Sequence, residues 1–216
     1  MKVALIGASG FVGANILTEL LSRGHEVKAI VRDGSKINNN NNLLTVSEVD
    51  VFKTDALAEA VKGYDAVINA FNAGWTNPNL YDDFLNGSIA IQKAVKESGV
   101  SRFITIGGAG SLYIDGNQLV DGPDFPQDIK PGATAARDYL NILKEEKELQ
   151  WTFFSPAIEM HQGIKTGRTG SYRLGLDSPV FNNEGRSILS GEDLAIVIVD
   201  ELEQGKHLQK RFTAAY

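Results

Sequence analysis

Short apolar runs alternate with amphipathic segments along most of the chain. The apolar runs predict strands at 3–6, 26–32, 45–51, 65–71, 102–108 and 151–155. Between them, apolar residues recur every three or four positions, which predicts helices at 11–22, 55–62, 81–98 and 133–148. Strands and helices in alternation form a parallel sheet that is covered on both faces. We therefore expect an α/β fold with a doubly wound, mostly parallel sheet.

The alternation becomes weaker after Pro156. Ser190 is the predicted cap of one further helix. No linker divides the chain, so residues 1–216 are expected to form a single domain with 156–190 as a small substrate-side extension. The remaining predicted elements are short strands or extended loops at 169–175 and 179–183, a helix at 191–203 and a last edge strand at 211–215.

Two segments have the composition of loops. Residues 38–42 are five consecutive asparagines, which favour neither helix nor strand and predict an exposed loop. Residues 111–132 are rich in Gly, Pro and Asp, and long loops of this kind are often functional. We also expect Thr54 or Asp55 to cap the helix at 55–62.

Composition narrows the class of protein. The formal net charge of −6 disfavours a general nucleic-acid binder. The absence of cysteine excludes disulfides and thiolate chemistry, and the widely separated His25, His161 and His207 predict no metal site. No apolar run has the length of a membrane span, and the N-terminal run is too short for a signal-peptide core. We expect a cytoplasmic monomer or homodimer that acts on a small molecule.

The segment GASGFVG follows the first predicted strand and opens the first predicted helix. Gly7 permits a tight turn, Gly10 lets a pyrophosphate approach the backbone, and Gly13 lets the helix pack close to the sheet. The helix N-terminus offers free N–H groups and the positive end of its dipole to phosphates. In this strand–loop–helix context the pattern predicts a dinucleotide site. Its expected contact residues are Gly7, Ala8, Ser9, Gly10, Phe11, Val12 and Gly13.

The GxxGxxG spacing resembles the loops of the extended and atypical branches of the short-chain dehydrogenase/reductase superfamily. The resemblance covers nearly the whole chain and is most specific in four segments. Together they are similar to the NmrA-like, NADH-flavin reductase group, which is related to biliverdin reductase B. This resemblance implies a Rossmann-type fold that binds NAD(P). The four segments are RFITIGGAGSLYI (102–114), WTFFSPA (151–157), TGSYRLG (169–175) and the closing stretch 189–215.

The end of the second strand usually selects the cofactor. An acid there binds the ribose 2′-hydroxyl of NAD, whereas an arginine accommodates the 2′-phosphate of NADP. Here Arg32 comes first and can hold a phosphate bidentately, with Lys36 able to assist. Asp33 keeps NAD(H) open. We expect NADP(H) to be preferred, although Arg32 could also be a solvated charge at the strand end.

The resemblance places the other cofactor contacts at strand ends, where open parallel sheets bind ligands. It assigns adenine to the end of the third strand, the ribose side to the fourth and the nicotinamide to the sixth, and it adds a cofactor contact at the end of the fifth. Arg137 is expected near the nicotinamide ribose or phosphate, or else on a solvated helix face. The contact residues implied are Asp50, Val51, Ala70, Phe71, Asn72, Gly107, Gly108, Ser155, Pro156 and Ala157.

The helix around Tyr139 bears on catalysis. Related reductases use Tyr-x-x-x-Lys as a proton relay, but here the lysine is Lys144, five positions on. Residues five apart on a helix are rotated by about 140°, so the relay is predicted to be absent. Tyr139 and Ser111 remain the candidate catalytic residues. The alternative is that Tyr139 is an ordinary helix residue and that Ser111 only belongs to a turn. Trp75 could roof the pocket or pack the long helix.

These features suggest an NAD(P)H-dependent oxidoreductase with flavin as the leading acceptor. Carbonyl reduction creates an alkoxide and benefits from a placed proton donor. Hydride transfer to a flavin can rely on stacking and orientation, because the cofactors carry the chemistry. A dinucleotide sensor without turnover, like NmrA-type proteins, is the alternative from another class. A nucleotide-sugar epimerase or dehydratase is weakened by the missing tyrosine–lysine pair.

Overall fold

Ten strands and five α-helices form in the computed structural model, which describes all 216 residues. All six strands and four helices predicted before Pro156 are present, with shifts of a few residues at their ends. The strands are β1 (Lys2–Ile6), β2 (Glu26–Val31), β3 (Leu44–Glu48), β4 (Ala66–Asn69), β5 (Arg102–Ile106), β6 (Tyr113–Ile114), β7 (Asn117–Gln118), β8 (Gln150–Ser155), β9 (Arg173–Gly175) and β10 (Lys210–Ala215). The helices are α1 (Phe11–Ser22), α2 (Thr54–Val61), α3 (Leu80–Ser98), α4 (Lys130–Lys144) and α5 (Gly191–Gln204).

Eight of the strands form one sheet, in the spatial order β3-β2-β1-β4-β5-β8-β10-β9. All neighbours are parallel except β9, which runs antiparallel to β10. The chain winds outward from β1 to β3 and then returns to place β4 on the other side of β1. This confirms the predicted doubly wound, Rossmann-type α/β fold. Such sheets bind ligands at the carboxyl ends of the strands, where the winding reverses, which here is between β1 and β4.

Side chains of the central strands alternate between the two faces of the sheet. In β1, Val3 and Leu5 belong to one apolar core, while Ala4 and Ile6 belong to the other. Helices α1 and α5 cover the first core, and α2, α3 and α4 cover the second. Both faces of β1 are therefore buried. A ligand site has to be formed by the loops at the carboxyl ends of the strands.

One prediction for the C-terminal segment is wrong. The last strand was expected at the sheet edge, but β10 lies between β8 and β9. The edge is taken by β9, which pairs antiparallel with Thr213 to Ala215. Residues 179–183 form the extended loop that was the alternative to a strand there, and the Asn182 side chain closes a turn by accepting the backbone N–H of Arg186 at 2.9 Å.

Helix α4 is shifted toward the N-terminus relative to its predicted bounds of 133–148. Pro131 fits its first turn because the missing N–H has no intrahelical partner there. At its other end, the Glu146 carboxylate accepts the backbone N–H groups of residues 148 and 149, at 2.7 and 3.4 Å. These two bonds turn the chain toward β8 and end the helix before the charged run is complete.

The two predicted loops differ in structure. Residues 38–42 contain no helix or strand and are exposed, as predicted. Residues 111–132 contain the β6–β7 hairpin, whose Tyr113 N–H donates to the Asp177 carbonyl at 2.8 Å. The hairpin is thus tied to the segment after β9. The predicted cap of α2 is wrong, since that helix begins without a side-chain cap, whereas Ser190 does cap α5.

Buried carboxylates attach residues 156–190 to the helices of the first face. Asp193 of α5 accepts the hydroxyl of Thr169 at 2.6 Å and two backbone N–H groups beside it. Glu19 of α1 accepts a bidentate contact from Arg168, at 3.0 and 3.2 Å. The extension is therefore held against α1 and α5, next to the glycine loop.

A third buried carboxylate makes the stability depend on pH. Burial opposes the charge of Glu146, but donation from backbone N–H groups, Lys96 and Gln92 outweighs it and lowers the pKa from 4.5 to about 2. Because the folded-state pKa lies below the ordinary value, the stabilisation is complete above about 4.5 and is lost as the pH falls toward about 2.

We expect Glu146→Gln to reduce the free energy of unfolding by up to roughly 3 kcal/mol at neutral pH. The difference from wild type should shrink as the pH is lowered. Urea unfolding at several pH values measures it, with the exposed neighbour Glu145→Gln as the control. An equal loss at all pH values would contradict the assigned ionisation.

Candidate nucleotide-binding site

The first and third glycines of the loop are required by close packing. Gly7 has φ +77, and a Cβ there would lie 2.5 Å from the carbonyl oxygen of Ala70. A Cβ on Gly13 would lie 2.1 Å from the carbonyl oxygen of Gly7. The loop after β1 is therefore pressed between α1 and the turn after β4, as the pattern predicts.

Gly10 differs from the other two glycines because the protein itself leaves space for a side chain. It is the N-cap of α1 with φ −77, and no side chain caps that helix. A Cβ there would meet no atom closer than 3.4 Å. Ser9 and Gly10 are exposed, while Ala8 is buried. An uncapped helix N-terminus beneath an open backbone surface fits a phosphate group.

The side chains of the other two predicted residues of the loop pack within the protein, which leaves their backbone N–H groups as the predicted contacts to a nucleotide. The Phe11 ring lies against Gly191 at the start of α5, where an added Cβ would be 2.8 Å from it. Val12 packs on the first core. Their side chains fix α1 against α5, and their backbone N–H groups belong to the first turn that faces the crevice.

The two charged residues after β2, Arg32 and Asp33, differ in their contacts with the protein. The Asp33 carboxylate accepts the backbone N–H and the hydroxyl of Ser35, at 3.1 and 2.6 Å, which lowers the pKa of Asp33. Lys36 lies 3.9 Å from the same carboxylate. Arg32 is exposed and makes no hydrogen bond or ion pair with the protein. The guanidinium is therefore available to a ligand, while the acid is engaged in its own turn.

The turn after β4 depends on an asparagine that sequence reasoning missed. Asn69 is buried; its side chain accepts the Phe71 N–H at 3.0 Å and donates to Thr105 on β5 at 3.1 Å. It thus fixes the segment of Ala70, Phe71 and Asn72 at the crevice. The only signal in the sequence was a polar residue inside the apolar run DAVINAF.

The predicted adenine-side residues lie at the end of β3. Asp50 is exposed, and its carboxylate accepts the backbone N–H of Phe52 at 3.0 Å. Val51 is buried in the second core. The Asp50 side chain is therefore accessible just beyond the end of β3, whereas the Val51 side chain is not, and contact of either residue with adenine stays a prediction.

The ends of β5 and β8 are packed together more tightly than predicted. A Cβ on Gly107 would lie 1.8 Å from the Phe153 ring, so this glycine serves packing, while Gly108 remains partly open. Ser111 and Ser155 are fully buried and hydrogen-bonded to each other at 2.9 Å. Pro156 and Ala157, which follow Ser155, are also buried.

The burial of Ser111 disfavours its predicted catalytic role. Besides its bond to Ser155, its hydroxyl donates to the Gly108 carbonyl at 2.9 Å. With no exposed surface, the hydroxyl cannot touch a substrate. The two serines instead cross-link the loop after β5 to the end of β8, a positioning role.

Burial also disfavours the predicted catalytic role of Tyr139. The residue is 1% exposed within the second core, and its hydroxyl has no hydrogen-bond partner. Burial raises the pKa of the phenol, so it does not ionise near neutral pH. Lys144 is exposed and lies outside this core. The two residues therefore do not form a proton relay.

We expect Tyr139→Phe to leave activity unchanged and to keep or raise stability by up to about 1 kcal/mol, because it removes an unpaired buried hydroxyl. Tyr81→Phe is the matched control: that hydroxyl donates to Asp138 at 2.8 Å and its loss should be destabilising. Thermal unfolding and initial rates measure both variants. A large loss of activity in Tyr139→Phe with normal stability would restore a catalytic role.

Arg137 is engaged within the protein rather than free. Its guanidinium contacts Asp138 at 2.5 Å, Asp121 at 3.1 Å and Gln118 at 3.2 Å. Burial opposes its charge, but the two carboxylates raise the pKa of Arg137 overall. The predicted phosphate contact is therefore not supported, because two acids already compensate this charge. Arg137 instead fastens the segment after β7 to α4.

Three further observations concern His161, metal binding and the length of the helices. His161 is exposed, and its Nδ1 accepts the Gly163 N–H at 3.0 Å. No cluster of three or more His, Asp or Glu side chains is arranged to hold a metal ion. None of the helices combines the length and the apolar character needed to cross a lipid bilayer.

Comparison with known proteins agrees with this geometry. The sequence profile of the family described as NAD(P)H-binding matches residues 7–205, and the chain belongs to this family. The uncharacterised protein YwnB of Bacillus subtilis (strain 168) is 40% identical over 216 residues, covering 99% of this chain and 97% of YwnB.

Two solved structures are similar over the whole chain. The "putative epimerase" from Bacteroides thetaiotaomicron superposes with a TM-score of 0.92 at 46% identity, covering 100% of this chain and 96% of that one. The "putative NADH-flavin reductase" from Streptococcus pneumoniae TIGR4 superposes with a TM-score of 0.85 at 38% identity, covering 100% and 99%. The fold and the nicotinamide-nucleotide family are thus shown.

Proposed function

We propose that this protein is a reductase that prefers NADP(H) and delivers a hydride to a flavin or a similar conjugated ring without a tyrosine–lysine relay. The observation that carries the proposal is the burial of both candidate hydroxyl groups. Ser111 is 0% exposed and Tyr139 is 1% exposed, and neither reaches the crevice. A site of this kind suits an acceptor that needs no proton donor placed by the protein.

The chain's own residues hold and orient the nucleotide in this account. The first turn of α1 binds the pyrophosphate through its backbone, and Gly10 provides the open approach. Arg32 binds the 2′-phosphate with its unengaged guanidinium. Gly108 borders the nicotinamide end. When bound, the reduced nicotinamide supplies the hydride, and the protein supplies position.

The proposed class of acceptor follows from the burial of the two candidate proton donors, Ser111 and Tyr139. Reduction of a ketone leaves an alkoxide, which a positioned acid stabilises by proton transfer. A flavin ring spreads the negative charge over its own nitrogen and oxygen atoms, so orientation against the nicotinamide suffices. The similarity to a structure named as an NADH-flavin reductase supports this choice.

An anaerobic comparison of acceptors tests the proposal. The purified protein is mixed with NADPH and either FMN or a simple aromatic ketone, and the visible absorbance of oxidised flavin and the formation of alcohol are followed. We expect protein-dependent flavin reduction and no ketone reduction. Ketone reduction without flavin reduction would overturn the assignment.

An epimerase that acts on a nucleotide sugar is the second candidate, because a structure 46% identical to this chain is named a "putative epimerase". Epimerisation by hydride removal requires a base at the sugar hydroxyl. Since Tyr139 is buried and Lys144 lies outside its core, the residues present do not favour this reaction. The reductase therefore remains the proposal.

A further inference from the structure

Trp75 is the most exposed large apolar side chain of the protein, with 60% of its surface accessible. Single exposed apolar residues are common and do not by themselves indicate a site. This indole, however, is held in a fixed turn at the mouth of the candidate crevice. Two sets of contacts define its position.

The first set consists of side-chain hydrogen bonds that shape the turn after β4. The Asn72 side chain accepts the Gly74 N–H at 2.7 Å, and Gly74 itself has φ +99. The Asn77 N–H donates to the Gly74 carbonyl at 3.0 Å, and its side chain donates to Asp83 of α3 at 2.8 Å. Trp75 therefore projects from a turn that is closed on both sides.

The second set supports the ring from below. A Cβ on Gly132 would lie 3.1 Å from the indole, so the absence of a side chain lets the ring rest on the first turn of α4. One turn along the same face, Ala136 lies 3.4 Å from the position of a Cβ on Gly108. Trp75 is thus one helical turn away from the partly open end of β5.

From this placement we infer that Trp75 is the stacking platform for the acceptor and the residue that makes the site select planar aromatic rings. The inference rests on the proposed function, since it concerns the acceptor of the same site. A supported indole offers a flat face to a second ring, and aromatic pairs gain free energy beyond the area they bury. Because every conjugated ring has such a face, the platform fits low selectivity among flavins and quinones.

The tryptophan content of the chain allows a direct binding test. The protein has two tryptophans, and the second, Trp151, is 3% exposed. A flavin that stacks on an indole loses fluorescence, and of the two tryptophans only Trp75 is exposed enough to stack on a bound flavin. Titrating protein saturated with oxidised nicotinamide nucleotide into FMN, and following flavin fluorescence, measures binding without turnover.

We expect wild type to quench FMN fluorescence and Trp75→Ala to bind FMN at least about tenfold more weakly. Trp75→Phe should retain affinity within about threefold while quenching less, since a phenyl ring stacks but quenches poorly. The control is Leu208→Ala, which removes an exposed apolar side chain just before the amino end of β10, at the opposite end of the strands from Trp75, and should match wild type. Thermal unfolding verifies that each variant is folded.

The outcomes separate this inference from the proposed function. Quenching that depends on Trp75 without any turnover supports the platform and rejects the reductase. Turnover with FMN that is unchanged in Trp75→Ala supports the reductase and overturns the platform. Failure of wild type to bind FMN at all overturns the platform as well.

Discussion

Gly10→Asp is expected to abolish nucleotide binding while leaving the fold intact. Aspartate is a better helix N-cap than glycine, and the protein leaves room for its Cβ, with the nearest atom at 3.4 Å. The added carboxylate would face the pyrophosphate at the N-terminus of α1. Repulsion between unit charges about 4 Å apart near a protein surface is about 4 kcal/mol. We expect affinity for NADPH to fall by at least about a hundredfold.

Isothermal titration with NADPH measures this loss. Gly10→Asn has the same size without the charge, so it should bind more tightly than the aspartate variant. Thr18→Asp adds the same charge two turns along α1 at an exposed position and should bind as wild type does. Normal NADPH binding by a folded Gly10→Asp protein would remove the phosphate site from this loop.

Arg32→Ala is expected to lose most of the preference for NADPH over NADH. Its exposed guanidinium makes no hydrogen bond or ion pair within the protein, so the change should have little effect on stability. A charge-assisted hydrogen bond to the 2′-phosphate is worth about 1.5–3 kcal/mol, which corresponds to roughly a ten- to hundredfold change. The effect should fall on NADPH alone, because NADH has no phosphate at that position.

Dissociation constants for both nucleotides check this expectation. Arg32→Lys keeps the charge but loses the planar fork and should lie between wild type and alanine. Lys62→Ala, an exposed cation beyond α2, controls for net charge and should change neither constant. If wild type binds NADH more tightly than NADPH, the preference assigned to Arg32 is wrong.

The fold was predictable because its signals are local and agree with one another. The apolar run of β1, the glycine loop and the amphipathic α1 each indicate the same strand–loop–helix unit, and the comparisons confirm the family. Gly7 and Gly13 of the GxxGxxG pattern lie where the backbone packs too closely for a side chain, as the pattern predicts. The order of the last strands was not predictable, because pairing between β9 and β10 depends on contacts distant in sequence.

Both catalytic predictions are disfavoured by burial, which a short sequence motif does not reveal. Tyr139 and Ser111 occupy positions that resemble functional ones, yet both are covered by residues from other elements. Arg137 was a plausible phosphate ligand until Asp121, sixteen residues earlier in the chain, proved to neutralise it. Asn69 shows the reverse case, a structural polar residue that an apolar run concealed.

The most direct test of the central claim is NADPH consumption by the purified protein with FMN, followed through the near-ultraviolet absorbance of the reduced nicotinamide. The account predicts oxidation that requires both protein and flavin, is faster with NADPH than with NADH, and is unchanged in Tyr139→Phe. Tight nucleotide binding with no consumption in the presence of any flavin or quinone would contradict it and identify the protein as a nucleotide sensor.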